Sequence, residues 1–221
     1  MNIILFGPPG AGKGTQADNI AKSFNLHKIS TGDLLRDEIK NKTKIGLENK
    51  TIVEKGSLVS DDVINSLIDK VLSNKVFSNR LIFDGYPRNL YQAKNLDSAV
   101  QKYNQKISYV LSLNVDKDII VKRILGRQLC SKCGLIFNKH FKPSTKRNHT
   151  CGDEFLIKRS DDNEEVILYR YQTYLEKTAP ILEYYKKQNL LHEINGCVRK
   201  EQRRAYCRLR TRQSPAFDRT A

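Results

Sequence analysis

The chain has 221 residues, a formal net charge of +15, and is 39% hydrophobic and 29% charged. That length supports one sizeable core with room for small insertions, and the composition is that of a soluble globular domain on the polar side. No apolar run is long enough to span a bilayer and no secretory leader opens the chain, so membrane insertion and export are not expected, and the cytoplasm is the expected compartment.

The first element is a strand. Ile3, Ile4, Leu5 and Phe6 are consecutive apolar residues, the pattern of a strand buried on both faces of a parallel sheet. It runs into Gly7-Pro8-Pro9-Gly10-Ala11-Gly12-Lys13, which matches G-x-x-x-x-G-K, the phosphate-cradling P-loop. Its glycines let successive N–H groups turn inward, the helix over 15–24 adds its positive end, and Lys13 adds a mobile full charge. Gly14 stands where the motif usually has Ser or Thr, with Thr15 one position later.

Residues 27–29 read as a second strand, and Ser30-Thr31-Gly32-Asp33 as the start of a helix carrying Leu34, Leu35 and Ile39. Residues 40–60 hold few large apolar side chains and read as a small exposed helical insertion. Asp61-Asp62 open an amphipathic helix through Val63, Ile64, Leu67, Ile68, Val71 and Leu72. Leu81–Asp84 is the next buried strand, ending in Gly85-Tyr86-Pro87-Arg88 with Gln92 beyond. A helix to about residue 102, a strand over 107–113 and a helix over 116–126 follow. Residues 127–163 break the pattern with Cys, Gly, Pro, His and Lys and no long periodic segment. A helical stretch over 163–187, which Pro180 should kink or restart, leads to a last strand over 190–194. The alternation predicts an α/β fold with about five parallel strands and helices on both faces. Ligands of such sheets lie at the carboxyl ends of the strands, where Gly7, Thr31, Asp84 and Arg88 fall.

Asp84 at a strand end could hold a water-coordinated Mg²⁺ near phosphates. Arginines are spread outside the tail, among them Arg36, Arg88, Arg123, Arg127, Arg159 and Arg170, and Arg123 and Arg127, four apart, share a helix face. Cys130-Ser131-Lys132-Cys133, with Cys151 eighteen residues after Cys133, has zinc-knuckle spacing. Only three cysteines are present there, and Asp153, His149 and His140 are nearby donors for a fourth position.

Five segments, GPPGAGKGTQ (7–16), STGDLLR (30–36), FDGYPRNLYQ (83–92), RILGR (123–127) and RSDDNEEVILYR (159–170), resemble the adenylate kinase family in order and spacing. The resemblance covers residues 1–196, and 127–163 resembles the long lid of bacterial-type members. It implies a P-loop NTPase-like core (1–29, 60–126 and 164–196), an AMP-binding flap (30–59) and a lid (127–163). It also implies a cytoplasmic monomer acting on ATP, AMP and ADP, which serves adenine nucleotide balance by ATP + AMP ⇌ 2 ADP with Mg²⁺.

By the same resemblance Gly10, Ala11, Gly12, Lys13, Gly14 and Thr15 would cradle the ATP phosphates, with Arg127, Ile136 and Phe137 contacting ATP from the lid. Thr31, Arg36, Ser57, Leu58, Val59, Gly85, Tyr86, Pro87, Arg88 and Gln92, together with Arg159 and Arg170, would form the AMP site. Lys13, Arg88, Arg123, Arg159 and Arg170 would be the catalytic cations, and Asp84 would hold Mg²⁺ through water. Asp161 and Asp162 match acidic positions of the lid. Some lids of the family carry a carboxylate as the fourth metal ligand, which here is Glu154, so the expected structural Zn²⁺ site is Cys130, Cys133, Cys151 and Glu154. It would staple a lid too small for its own core.

The chemistry agrees with these roles. The phosphate of AMP is already anionic and nucleophilic, so the obstacle is aligning two highly charged phosphates and stabilising the transferred group. Arginine suits that task through its planar, permanently charged fork. A kinase for UMP, CMP or GMP would use the same core. A zinc-knuckle nucleic-acid-binding protein would use the cysteines and the basic tail, but would leave the P-loop and arginines unexplained, so nucleic acid is not an expected partner. The tail, 197–221, holds eight Arg or Lys against two acids, a net of +6 that leaves +9 on the first 196 residues. It matches nothing in the family and has no helical period. It reads as disordered or non-native sequence, with Cys197 and Cys207 as free thiols.

Overall fold

Every residue of β1 (Asn2–Phe6) is buried because this strand lies in the middle of a parallel sheet. Its side chains alternate between two cores. Ile4 and Phe6 pack with residues of α4 (Asp61–Ser73), α5 (Leu90–Lys102) and α8 (Pro180–Lys187), whereas Ile3 and Leu5 pack with Ala17 of α1 (Lys13–Phe24). The period of two thus places one apolar run on two helical layers. The computed structural model describes residues 1–159 and 161–196.

The sheet runs in the order β2-β3-β1-β4-β8, where β2 is His27–Ser30, β3 Leu81–Asp84, β4 Ile107–Asn114 and β8 Leu191–Asn195. All four pairings are parallel. After β1 the chain builds β2 and β3 on one side and then crosses to β4 and β8 on the other, so the P-loop leaves the sheet at its switch point. This is the expected five-stranded α/β architecture.

Local signals set the helix starts. Ser30 caps α2 (Thr31–Lys40) by accepting from Asp33 N–H at 3.3 Å, and Thr43 caps α3 (Lys44–Glu54) by accepting from Gly46 N–H at 3.1 Å. Asn89 caps α5 by accepting from Gln92 N–H at 2.8 Å. After β4 the chain forms α6 (Lys117–Leu125).

Residues 127–163, which carry no long periodic segment, hold three short strands: β5 (Arg127–Cys130), β6 (Ile136–Asn138) and β7 (Leu156–Ile157) form an antiparallel sheet in the order β6-β5-β7. Strands of four, three and two residues are too short to show a period. The helical stretch 163–187 restarts at Pro180, one of the two outcomes expected there. It is α7 (Glu164–Thr173), a π-helical turn Tyr174–Thr178 and α8, with Pro180 opening α8 where its missing N–H has no partner to lose. No helix among the described residues is long and apolar enough to cross a membrane. The readings of the basic tail, Cys197 and Cys207 fall outside the described residues.

Candidate active site

The loop after β1 turns through Gly10 at φ +77° and Gly12 at φ +93°. A Cβ on Gly10 would also lie 2.7 Å from Ile124, so glycine is required there twice over. Lys13, the first residue of α1, folds back over the loop and donates to the carbonyls of Gly7 at 2.7 Å and Pro8 at 3.0 Å. Burial lowers its pKa to about 8. Asp84 opposes that shift, and Arg88, Arg170 and Arg127 add to it. Asp84 ends β3, and burial raises its pKa. Its Oδ2 would lie 3.3 Å from a Cβ on Gly14, so a glycine in place of the usual Ser or Thr leaves room for this carboxylate beside the loop.

Two clefts meet here. One, of about 540 Å³, is lined by Pro9, Lys13, Gly85, Arg88, Arg170 and Thr178 among others. The second, of about 530 Å³, has a cationic end at Arg36, Arg88 and Arg170 and an apolar end at Leu35, Val53, Val59 and Ile64, where Gln92 is the polar group. Gly56, Leu58, Arg88 and Arg170 line both. Thr31 and Ser57 also line the second cleft. Tyr86 and Pro87 bring the chain from β3 to Arg88, and Tyr86 hydroxyl anchors that turn on Asn65 at 2.9 Å.

The arginines are held by carbonyls and carboxylates. Arg88 Nε donates to Gly85 carbonyl at 2.7 Å, and its own carbonyl accepts from Thr178 hydroxyl at 2.8 Å. Arg170 pairs with Asp161 at 2.5 Å, and Arg127 pairs with Asp162 through both its Nε, at 2.7 Å, and an Nη. Asp33 takes Arg36 at 2.5 Å and lies 3.8 Å from Arg159. Burial, with Arg170 beside Arg88 and Arg36 beside Arg159, brings both guanidinium pKa values down to about 10. The Nε of Arg159 is buried with no hydrogen-bond partner among the described residues. Arg123 points elsewhere, donating to Ala11 carbonyl of the loop and to Gly196 carbonyl, both at 3.1 Å. Phe137 is buried against His149, which leaves Ile136 as the half-exposed member of that pair.

The cysteine cluster differs from expectation in its fourth member. Cys130, Cys133, Cys151 and His149 bring one donor atom each to within 4.8 Å of one another. Glu154 is not in this group. It sits exposed on the short 3₁₀ turn Asp153–Phe155, whereas the ring of His149 is 7% exposed and packed 4.7 Å from Phe137. His140 is exposed and outside the group too. Asp153 instead accepts from Ser144 hydroxyl at 2.9 Å, and Ser144 Oγ lies 3.0 Å from His149 Nδ1. With its one proton spent on Asp153, Ser144 must accept from Nδ1–H, so Nε2 carries the lone pair. That Nε2 is buried without a hydrogen-bond partner among the described residues. Three sulfurs and an orphaned imidazole nitrogen fit a tetrahedral Zn²⁺ site, whose ligand atoms stand about 3.8 Å apart for bonds near 2.3 Å.

The sequence reading missed Asp33 as the shared partner of Arg36 and Arg159, and Asp61 as the partner of Gln92, because both acids read as helix-start residues. A signal for His149 was present in its position two residues before Cys151.

A P-loop lysine in one cleft and a second, arginine-ended cleft sharing residues with it define a kinase for two phosphorylated ligands. The family model described as adenylate kinase matches residues 5–190. The adenylate kinase of Pelagibacter ubique is 49% identical over 196 residues, 89% of this chain and 92% of that protein. That of Fusobacterium nucleatum is 45% identical over 202 residues, covering 91% and 93%, and that of Bacillus cytotoxicus is 40% identical over 198 residues, covering 89% and 91%. The chain belongs to the adenylate kinase family, and its activity is that of a nucleoside-monophosphate kinase.

Proposed function

We propose that the P-loop cleft takes MgATP, the Gln92 cleft takes AMP, and the γ-phosphoryl group passes between them past Arg88 and Arg170 to give two ADP. The observation that carries this reading is that both arginines line both clefts. A guanidinium shared by two anion sites draws both phosphates toward one point and stabilises the equatorial oxygens of the group in transit. Residues 10–15 hold the ATP phosphates by N–H groups. Lys13 exchanges the carbonyls of Gly7 and Pro8 for phosphate oxygens and follows the transferred group. Thr31, Arg36, Ser57, Leu58, Val59, residues 85–88 and Gln92 hold AMP, with Arg36 at its phosphate. Arg159, whose buried Nε has no hydrogen-bond partner among the described residues, and Arg127 close from the 127–163 lid and displace water that would hydrolyse ATP. Residues 30–59 form the opposing flap. Arg123, engaged with the loop at Ala11, serves as a brace that orients the P-loop in this state. Asp84 would hold the magnesium of MgATP through water, and that ion supplies charge neutralisation on the phosphate oxygens.

The protein works as a cytoplasmic monomer in adenine nucleotide balance. The test is ADP formation from ATP and AMP. Lys13→Ala should lower kcat by about 10²-fold or more, and an unchanged rate would overturn the assignment of Lys13.

The lid holds a structural Zn²⁺ on Cys130, Cys133, Cys151 and His149. The supporting observations are the orphaned Nε2 and the Asp153–Ser144–His149 chain that fixes its tautomer. Elemental analysis should find about one zinc per chain. His149→Ala should lower zinc affinity by about 10-fold or more, while Glu154→Ala should leave it unchanged. The reverse pattern would restore Glu154, and zinc-free wild-type protein would sink the site altogether.

A further inference from the structure

Gln92 is 2% exposed, and both ends of its side-chain amide are held. Its Nε2 donates to Asp61 Oδ1 at 2.7 Å, and its Oε1 accepts from Arg88 N–H at 2.8 Å. A carboxylate can only accept and a backbone N–H can only donate, so this orientation of the amide follows from chemistry. Asp61 is itself pinned, because Asn89 Nδ2 donates to both its oxygens, at 2.9 and 3.1 Å. Asn89 is fixed in turn by capping α5.

We infer that Asp61 sets the base specificity of the acceptor site by locking the Gln92 amide in the orientation that reads a 6-aminopurine and rejects a 6-oxopurine. The inference rests on the reading above that Gln92 faces the base of the nucleoside monophosphate. After its two internal bonds, Gln92 retains one Nε2–H and one Oε1 lone pair side by side. Their complement is an acceptor beside a donor, which is N1 and the 6-amino group of adenine. A 6-oxopurine presents the opposite pair, N1–H and O6. To read it the amide would have to turn over, setting Oε1 against the Asp61 carboxylate and Nε2 against Arg88 N–H. Discrimination therefore comes from repulsion built behind the amide as well as from attraction in front of it. Asp61 does not line the cleft, so it is a positioning residue.

The test uses AMP and inosine 5′-monophosphate, which differ only at positions 1 and 6 of the base, with MgATP as donor. In Asp61→Asn the near-isosteric amide can offer an N–H to a turned Gln92, which removes one of the two repulsions. The ratio of kcat/KM for AMP over that for inosine monophosphate should fall by about tenfold or more, through both a loss for AMP and a gain for the 6-oxopurine. Both substrates are measured on one preparation, so a loss of folded protein cancels from the ratio. Asp61→Ala, which leaves no acceptor, should move the ratio the same way. An equal loss for both substrates, or an unchanged ratio in both variants, would overturn the inference and make Asp61 a structural residue only. Gln92→Leu separates this from the parent reading: it should collapse the ratio, and a wild-type ratio in that variant would mean that Gln92 does not read the base at all.

Discussion

At the scale of single residues, the site holds its charges under tension, and Lys13 shows this most directly. Its ammonium is held by two loop carbonyls while burial lowers its pKa from 10.5 to about 8. Between those values the unfolded chain binds more protons than the folded one, so this residue makes stability rise with pH from about 8 to 10.5. Below pH 8 the full penalty of the buried ammonium is present. The shift corresponds to about 3 kcal/mol at most. The part-exposed position, the lost carbonyl bonds and the loss of the cation beside Asp84 reduce the net effect of removing the charge to about 1–2 kcal/mol. Lys13→Met should therefore be more stable than the wild type at pH 7, and urea titrations should show that advantage shrinking as pH rises to 10.5. A variant less stable at pH 7, or a gap independent of pH, would show that the folded state does not strain this lysine.

At the scale of elements, what was legible depended on how local the determining interactions are. β1 could be read because four apolar residues need two covered faces, and the P-loop because its anion cradle is made by neighbouring N–H groups and two glycines. The start of α2 followed from Ser30. The small sheet β6-β5-β7 was not legible, since its strands are only two to four residues long and β7 joins β5 across a long loop. The 40–60 segment read as an exposed insertion, yet Gly46 and Asn49 are buried in it. A Cβ on Gly46 would lie 2.1 Å from Glu38 carbonyl oxygen, so the glycine is what lets α3 pack tightly on α2 and hold Thr31 and Arg36 at the cleft. Partner choice was hidden for the same reason. Asp61 reaches Gln92 across 31 positions, and His149 joins Cys130 only once β5 and the following loops have folded.

At the scale of the whole molecule, the cleft is an electrostatic device for binding anions. Six cations gather around it: Lys13, Arg36, Arg88, Arg127, Arg159 and Arg170. Four carboxylates, Asp33, Asp84, Asp161 and Asp162, compensate them only in part. Arg88 and Arg159, with pKa values brought to about 10, remain cations at neutral pH but repel their neighbours. A phosphate relieves that repulsion as it binds, so AMP should stabilise the folded chain beyond simple contact. Saturation at a hundred times Kd contributes about 2.7 kcal/mol, or about 5–10 °C in Tm for a chain of this size. Salt should erode this effect from both sides. The screening length falls from about 10 Å at 0.1 M to about 3 Å at 1 M, which steadies the unliganded cluster and weakens its hold on the phosphate. Thermal melting at one fixed AMP concentration in 0.1 M and 1 M NaCl should show the AMP-induced rise in Tm shrinking by about half or more. An AMP shift of equal size at both salt concentrations would mean that base contacts, rather than the arginine cluster, supply the binding energy.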